Sequence, residues 1–290
     1  MTSHGMSEEA WELAAIERLA ETDFWEPLTG HDIAPGSGLR ETWADPVVRP
    51  WVMEALGRLN KDVPTQHLQQ ALADILSTTS QDAITENRRM HDILVHGYRG
   101  LTYTDGDGHE VTPTIWLLSP HADENDYHAV TQVTVRAGDH QRRFDIVLYV
   151  NGLPLVIIEL KKAGSEKADV SAAYAQLATY VRELPMAFRF CVLTVISDGV
   201  VARYGTPFTP LNHFAPWNVD DIGSPLTAYE IRLSLVGSEM CIRDSSSDRA
   251  GGRPPAPLRH RPLRQRPALG HHRAEAVSYT HLTLPTSDLV

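Results

Sequence analysis

Lysine is nearly missing from these 290 residues: there are four, Lys61, Lys161, Lys162 and Lys167, and three of them fall within seven positions. Cysteine is as scarce. Cys191 and Cys241 stand fifty residues apart at no metal-ligand spacing, which argues against a disulfide-stapled scaffold and fits a reducing compartment. No run of 18 apolar residues occurs and residues 1–12 are polar and acidic, so neither a membrane span nor a secretory signal is expected, and a cytoplasmic location is. Positive charge is in deficit as well, with 26 Lys and Arg against 37 Asp and Glu, a formal −11. That excludes a chain that coats nucleic acid indiscriminately, because phosphate binding needs positive potential, and confines any DNA contact to a local patch or to surfaces shared with partners. A G-x-x-x-x-G-K-[ST] phosphate loop is also absent from the sequence.

What is present suffices for a core, since 42% of the residues are hydrophobic. The composition breaks near residue 226. Residues 1–225 hold 17 basic against 31 acidic side chains, whereas the remainder has nine Arg, no Lys and six acids. The stretch GGRPPAPLRHRPLRQRPALGHHR has no apolar period and too little apolar material to order itself. A basic DNA-binding tail is one reading, and an out-of-frame translation of GC-rich DNA is the other. The flanks LSLVGSEMCIRDS and AVSYTHLTLPTSDLV resemble translated sequencing adapters and favour the second. The expected organisation is therefore one domain over 1–226 and a non-native or disordered tail over 227–290.

Within the domain, EEAWELAAIERLA (8–20) spaces its apolar residues helically, and PWVMEALGRLN, TQHLQQALADILS and residues 82–95 predict three more helices. From Tyr98 the pattern turns to β-type: YRGLTY, a DGDG turn at 105–108, VTPTIWLL and AVTQVTV. FDIVLYV and PLVIIEL then flank Asn151-Gly152, a hairpin signal. A helix over 169–184 follows, with Val170, Ala173, Leu177, Val181 and Leu184 on one stripe, and RFCVLTVISD and VVARYG supply closing strands. The order predicts an α/β sheet flanked by helices, with an N-terminal helical portion.

The residues with chemistry to offer lie on the hairpin. Glu159 ends the apolar run Leu155-Val-Ile-Ile, where a lone buried carboxylate needs a partner or a metal. Lys161, two positions on, shares its face, and Asp145 stands on the preceding strand. Asp145, Glu159 and the Leu160 carbonyl are the oxygen ligands Mg²⁺ prefers, and an ammonium beside them can hold an attacking water or a phosphate. A solvated strand end explains Glu-Leu-Lys-Lys equally well at this level. Gln176 and Tyr180, four residues apart on the next helix, share a face next to the apolar stripe and could reach a DNA strand or a site carboxylate, or be ordinary helix surface.

Taken together, RRFDIVLYVNGLPLVIIELKK, AYAQLATYVRELP, VLTVISDGVVARYGT with HFAPWNVDD, and upstream RLNKDVPTQHLQQAL and ENRRMHDILVHGY resemble the N-terminal region of type I restriction enzyme R subunits, members of the PD-(D/E)xK nuclease superfamily. The resemblance runs from about Glu8 to Asp221, with Phe144 where the superfamily's name has proline. It implies a restriction-endonuclease-like sheet and a Mg²⁺-dependent cut in DNA, with Asp145, Glu159 and Lys161 catalytic and Gln176 and Tyr180 supporting DNA engagement. It also implies a glutamate from the first helix, Glu12, with Glu8, Glu9 and Glu17 as competitors. Arg88 and Arg89 are candidates for phosphate, against the reading of an exposed basic pair. Such subunits continue into an ATP-driven motor and pair with methylation and specificity subunits. With no phosphate loop, this chain is expected to be truncated, ATP belonging to the parent's motor region, and to be inactive alone. The alternatives are an inactive docking or DNA-binding module of the same assembly and a free-standing repair nuclease.

The chemistry constrains the hairpin register. A two-residue turn at Asn151-Gly152 sets Val150 against Leu153 and so Asp145 against Ile158, which puts Asp145 on the opposite face from Glu159. A three-residue loop, 150–152 or 151–153, is therefore expected, with Gly152 at positive φ.

Overall fold

The computed structural model describes residues 8–22, 24–161, 170–198 and 201–217. Five α-helices are described: α1 (Glu8–Ala20), α2 (Arg49–Leu59), α3 (Thr65–Leu76), α4 (Ala83–His96) and α5 (Val170–Glu183). The strands are β1 (Glu26–Thr29), β2 (Tyr103–Thr104), β3 (Glu110–Val111), β4 (Tyr127–Ala137), β5 (His140–Val150), β6 (Leu153–Leu160), β7 (Leu193–Ser197), β8 (Ala202–Gly205) and β9 (Ala215–Pro216). Seven of them form one mixed sheet in the order β1-β4-β5-β6-β7-β8-β9, parallel at β1–β4 and β6–β7 and antiparallel elsewhere.

The expected α/β sheet flanked by helices is present, and the two faces can be read from consecutive residues of β5. Ile146 and Leu148 pack with Ala129, Leu160 and Ile16 of α1, while Val147 and Tyr149 pack with Val130, Ile157 and the α5 residues Ala173, Leu177 and Tyr180. Neighbouring strand residues point to opposite faces, so α1 and α5 cover opposite sides of the sheet. Helices α2, α3 and α4 bury Leu56, Leu72, Ile75 and Met90 in a further cluster that closes on Leu153 and Leu155 of β6 and on Phe190. Each such leucine or isoleucine contributes about 1.5–3 kcal/mol through removal from water.

Local chemistry explains the helix ends. Proline stands at the first turn of α2, Asp82 caps α4 by accepting the Thr85 N–H at 2.7 Å, and Gly97 closes it at φ 74°. The segments YRGLTY and VTPTIWLL are mostly irregular rather than extended strands. Among the described residues they form only the two-stranded β2–β3 hairpin and an isolated Tyr98–Ile115 bridge. Their apolar members Leu101, Ile115 and Leu117 are buried under the helical layer, so the hydrophobic pattern records burial without a ladder. Strands β1 and β9 escaped the sequence reading because four and two residues carry too little pattern. The tail from about 226, and Lys162 and Lys167, lie outside the described residues.

The hairpin register differs from expectation, and Gly152 has the expected positive φ. Val150 pairs with Leu153, so the turn has two residues, Asn151 at φ 50° and Gly152 at φ 79°, the left-handed pair that a type I′ turn requires. Parity is restored further along. Tyr149 pairs with Pro154 but Leu148 pairs with Val156, which leaves Leu155 as a one-residue bulge on β6. Beyond it Ile146 faces Ile158, and extending that register by one residue would set Asp145 across from Glu159. The bulge falls on β6 rather than at Gly152, and Asn151-Gly152 is no ordinary surface turn. Asn151 is 1% exposed, its amide donating to the Leu117 carbonyl and to Asn125 Oδ1 at 2.9 Å each and its Oδ1 accepting the Asp126 N–H at 2.8 Å. The Gly152 carbonyl accepts from Val48 N–H at 3.0 Å at the start of α2, and a Cβ on Gly152 would sit 2.5 Å from the Val48 oxygen. Packing against α2 fixes the turn, and the strand beyond takes up the extra residue.

Candidate active site

Asp145 lies in the middle of β5 and Glu159 near the end of β6, and both are buried, Glu159 completely. Asp145 Oδ2 accepts the Leu160 N–H at 2.7 Å, a buried bond that ties the aspartate to the backbone between the other two candidates. Lys161 continues the pairing of β6 with β7 by donating its N–H to the Ser197 carbonyl at 2.8 Å. Its Nζ then folds back to Glu159 Oε1 at 3.3 Å and to the Leu160 carbonyl at 3.0 Å. With its side chain 16% exposed, the lysine is the lip of the group and Glu159 its floor. Asp145, Glu159, Lys161 and the Leu160 carbonyl are thus brought together.

Helix α5 covers them from one face. Tyr180 is 7% exposed and belongs to the apolar cluster, so it lies on the buried stripe itself rather than on a neighbouring face. Its ring stands edge-on to Phe144 at 5.5 Å, and the Gln176 amide donates to its hydroxyl at 2.5 Å. Burial and the negative charges of Glu159 and Asp145 push the Tyr180 phenol up to about 12, against the opposing pull of the Gln176 hydrogen bond and of Lys161. The phenol is therefore neutral at any ordinary pH. Arg142, unnoticed in the sequence, sets its guanidinium 5.9 Å from the Tyr180 ring centroid and pairs with Glu183.

The first helix contributes from the other face. Glu9 and Glu17 are exposed, whereas Glu12 is 6% exposed and accepts a hydrogen bond from Gln132 Nε2 at 3.1 Å. Gln132 is the residue the sequence reading missed. An amide interrupting a run of valine and threonine was the available signal, but its backbone conformation left none.

The basic pair divides. Arg89 bridges Glu86 at 2.8 Å and donates to the carbonyls of Ile75 and Ser77, so its guanidinium is engaged within the helical layer. Arg88 is exposed on α4, whose apolar face joins α2 and α3, and among the described residues no hydrogen bond or ion pair links it to the carboxylates. A second oxygen-rich group, Asp105, Asp107 and His109, sits on the β2–β3 turn. There Asp105 Oδ1 accepts the N–H groups of Asp107 and His109, which is the turn chemistry expected of DGDG.

The donor set suits a hard divalent cation. Glu12, Asp145 and Glu159 are buried carboxylates, and buried negative charge needs hydrogen bonds or cations to offset its desolvation. Carboxylate and carbonyl oxygens with no sulfur or imidazole match Mg²⁺ better than zinc or copper.

Comparison with known proteins bears on the chain as a whole. A family profile described as the N terminus of the type I restriction enzyme R protein matches residues 5–213. The chain is 29% identical over 219 residues to the type I restriction enzyme HindI endonuclease subunit of Haemophilus influenzae, covering 74% of this chain and 21% of that protein. It is 22% identical over 210 residues to the putative type I restriction enzyme MjaIXP endonuclease subunit of Methanocaldococcus jannaschii, covering 71% and 20%. With the type I restriction enzyme EcoprrI endonuclease subunit of Escherichia coli it shares 33% over 129 residues, 43% of this chain and 38% of that one. The chain spans about a fifth of the length of the first two relatives. A mixed sheet between helices and a profile match over most of the chain agree, and the chain belongs to the family of type I restriction enzyme R protein N-terminal regions.

Proposed function

We propose that this chain is the nuclease part of a type I restriction enzyme and hydrolyses DNA phosphodiester bonds with Mg²⁺ at Asp145, Glu159 and the Leu160 carbonyl. The observation that carries the reading is the convergence of two buried carboxylates and one lysine at the end of β6, joined through the Leu160 backbone. Bound there, Mg²⁺ supplies activation of water and neutralisation of charge on the phosphate. Asp145 and Glu159 hold it, and the bond from Leu160 N–H fixes the aspartate's orientation. Lys161, at the lip of the site, holds the attacking water or a phosphate oxygen, the place for a point charge on a flexible stem. Tyr180, neutral and anchored by Gln176, acts as a hydrogen-bonding phenol toward DNA or a site carboxylate, and Glu12 adds its charge from α1. Arg88 is a peripheral phosphate contact at most.

In this reading the parent enzyme supplies the ATP-driven motor, and the methylation and specificity subunits choose the DNA site. The enzyme works in the cytoplasm. No helix among the described residues is long and apolar enough to cross a membrane.

The test is Asp145→Ala, Glu159→Ala and Lys161→Ala in the complete assembly, with cutting and translocation measured side by side. Each variant is expected to lower cutting by about 10²–10³-fold or more, the scale of losing one preorganised group at a reacting phosphate, while translocation stays normal. Normal cutting by the Glu159 variant would replace this reading with that of a docking module.

A further inference from the structure

Strand β4 is 11 residues long, yet at its centre Gln132 has φ 55°, the left-handed region that side chains other than glycine rarely occupy. Among the described residues the only other non-glycine at positive φ is Asn151, which its turn type explains. Nothing in an antiparallel ladder asks for such a backbone at Gln132. The pairs on either side, Thr131 with Ile146 and Val133 with Phe144, keep one register, so no bulge is being absorbed there. That register places Gln132 directly across from Asp145.

The distortion is held from behind. Gly30, just past β1, donates its N–H to the Thr131 carbonyl at 2.6 Å, and a Cβ on Gly30 would lie 2.2 Å from the Gln132 carbonyl oxygen. Only glycine allows this approach. In front, the Gln132 amide reaches Glu12 Oε2 at 3.1 Å. Strain that the surrounding structure maintains at a residue facing a buried carboxylate is a reason to look for a role.

We propose that Gln132 is a positioning residue. Its left-handed backbone aims the side-chain amide at Glu12 and tethers that carboxylate, carried by α1 on the other side of the sheet, to the strand position across from Asp145, where its charge bears on the cation held by Asp145 and Glu159. The inference rests on the proposed function and extends it. The metal ligands come from strands, which the sheet fixes, while α1 is a separate helix that needs a tether, and Gln132 supplies it from the strand next to Asp145. A hydrogen bond to a ligating or charge-balancing carboxylate is the kind of outer support whose loss changes metal affinity about 10- to 100-fold.

The experiment uses Mn²⁺ as the probe. Gln132→Gly and Gln132→Asn both tolerate the left-handed backbone, so each should keep the fold, yet the first lacks the amide and the second is one methylene too short to reach Glu12. Mn²⁺ binding to the chain is measured by calorimetry beside its melting temperature, and cutting and translocation are measured in the complete enzyme. Expected for both variants are unchanged or raised melting temperatures, a 10- to 100-fold weaker Mn²⁺ affinity, and cutting that recovers at high Mn²⁺, with translocation intact. Wild-type affinity in Gln132→Gly or Gln132→Asn, while Glu159→Ala abolishes binding, overturns the positioning role and leaves the nuclease reading standing. Absence of Mn²⁺ binding in the wild-type chain, with normal cutting by Glu159→Ala, overturns both.

Discussion

At the residue scale the site follows from where charge is buried. Glu159 and Asp145 were legible in the sequence because an acid closing an apolar strand run is conspicuous, and Lys161 because lysine is so rare here. Gln132 was not, since no residue type other than glycine or asparagine advertises a left-handed backbone. The sequence leaves Tyr180 open between a site role and ordinary helix surface, and its depth changes what it can do. Its phenol has been pushed up to about 12 by burial and by Glu159 and Asp145, so it keeps its proton well beyond neutral pH. A group whose folded pKa is raised adds stability that is complete below its ordinary value near 10 and is lost as pH climbs toward 12. Two outcomes follow for Tyr180→Phe in the complete enzyme. Cutting should fall, because the partner of Gln176 is gone, yet the shape of the pH–rate curve from 7 to about 10 should match that of the wild type. An alkaline inflection that disappears with the hydroxyl would show that the tyrosine titrates in the working range.

At the scale of elements, periodicity and capping gave away the helices and the hairpin, since α1, α5 and the β5–β6 pair carry several turns or pairs of pattern each. What the sequence concealed was set by contact between elements. Asn151-Gly152 announces a turn without saying that α2 packs on it, and Glu86 reads as a helix-surface acid although it has no exposed area. Burial pushes the Glu86 carboxyl up, but hydrogen bonds from Arg89 and from Thr79, with the charge of Arg89, prevail and bring it down to about 2. Its Oε1 also accepts the Ser80 N–H at 2.9 Å, so the loop before α4 is sewn to the helix through one side chain. Because the folded pKa is depressed, this contribution is fully present above about pH 4.5 and is lost as pH falls from there toward 2. Glu86→Ala should cost about 3–5 kcal/mol in denaturant unfolding at neutral pH, as for other buried pairs broken on one side. It should also flatten the stability curve between pH 4.5 and 2 relative to the wild type. An unaltered acid limb in the variant would place the acid sensitivity elsewhere.

For the whole molecule, the charge balance governs what the chain does by itself. Residues 1–225 carry a formal −14, so long-range potential repels DNA and any attraction is confined to patches such as Arg142 and Lys161. The isolated chain should therefore bind duplex DNA weakly and lose that binding between 50 and about 200 mM salt, and it should hydrolyse no ATP. Retention on one DNA sequence at the higher salt in a filter or fluorescence assay would contradict this. The hairpin imposes a different kind of constraint, one of counting. Between Asp145 and Glu159 the chain makes a two-residue turn and one bulge, and extended to the two acids this combination, unlike the turn alone, would set them on the same side. Many single substitutions of one aliphatic residue for another in that stretch leave the count alone. Losing or gaining a single residue inverts every side chain beyond it, and Glu159 would exchange places with Ile158 or Leu160. In a lineage of such enzymes, length changes between these acids should thus be accepted in twos, or singly only where the turn gains the residue that the strand gives up.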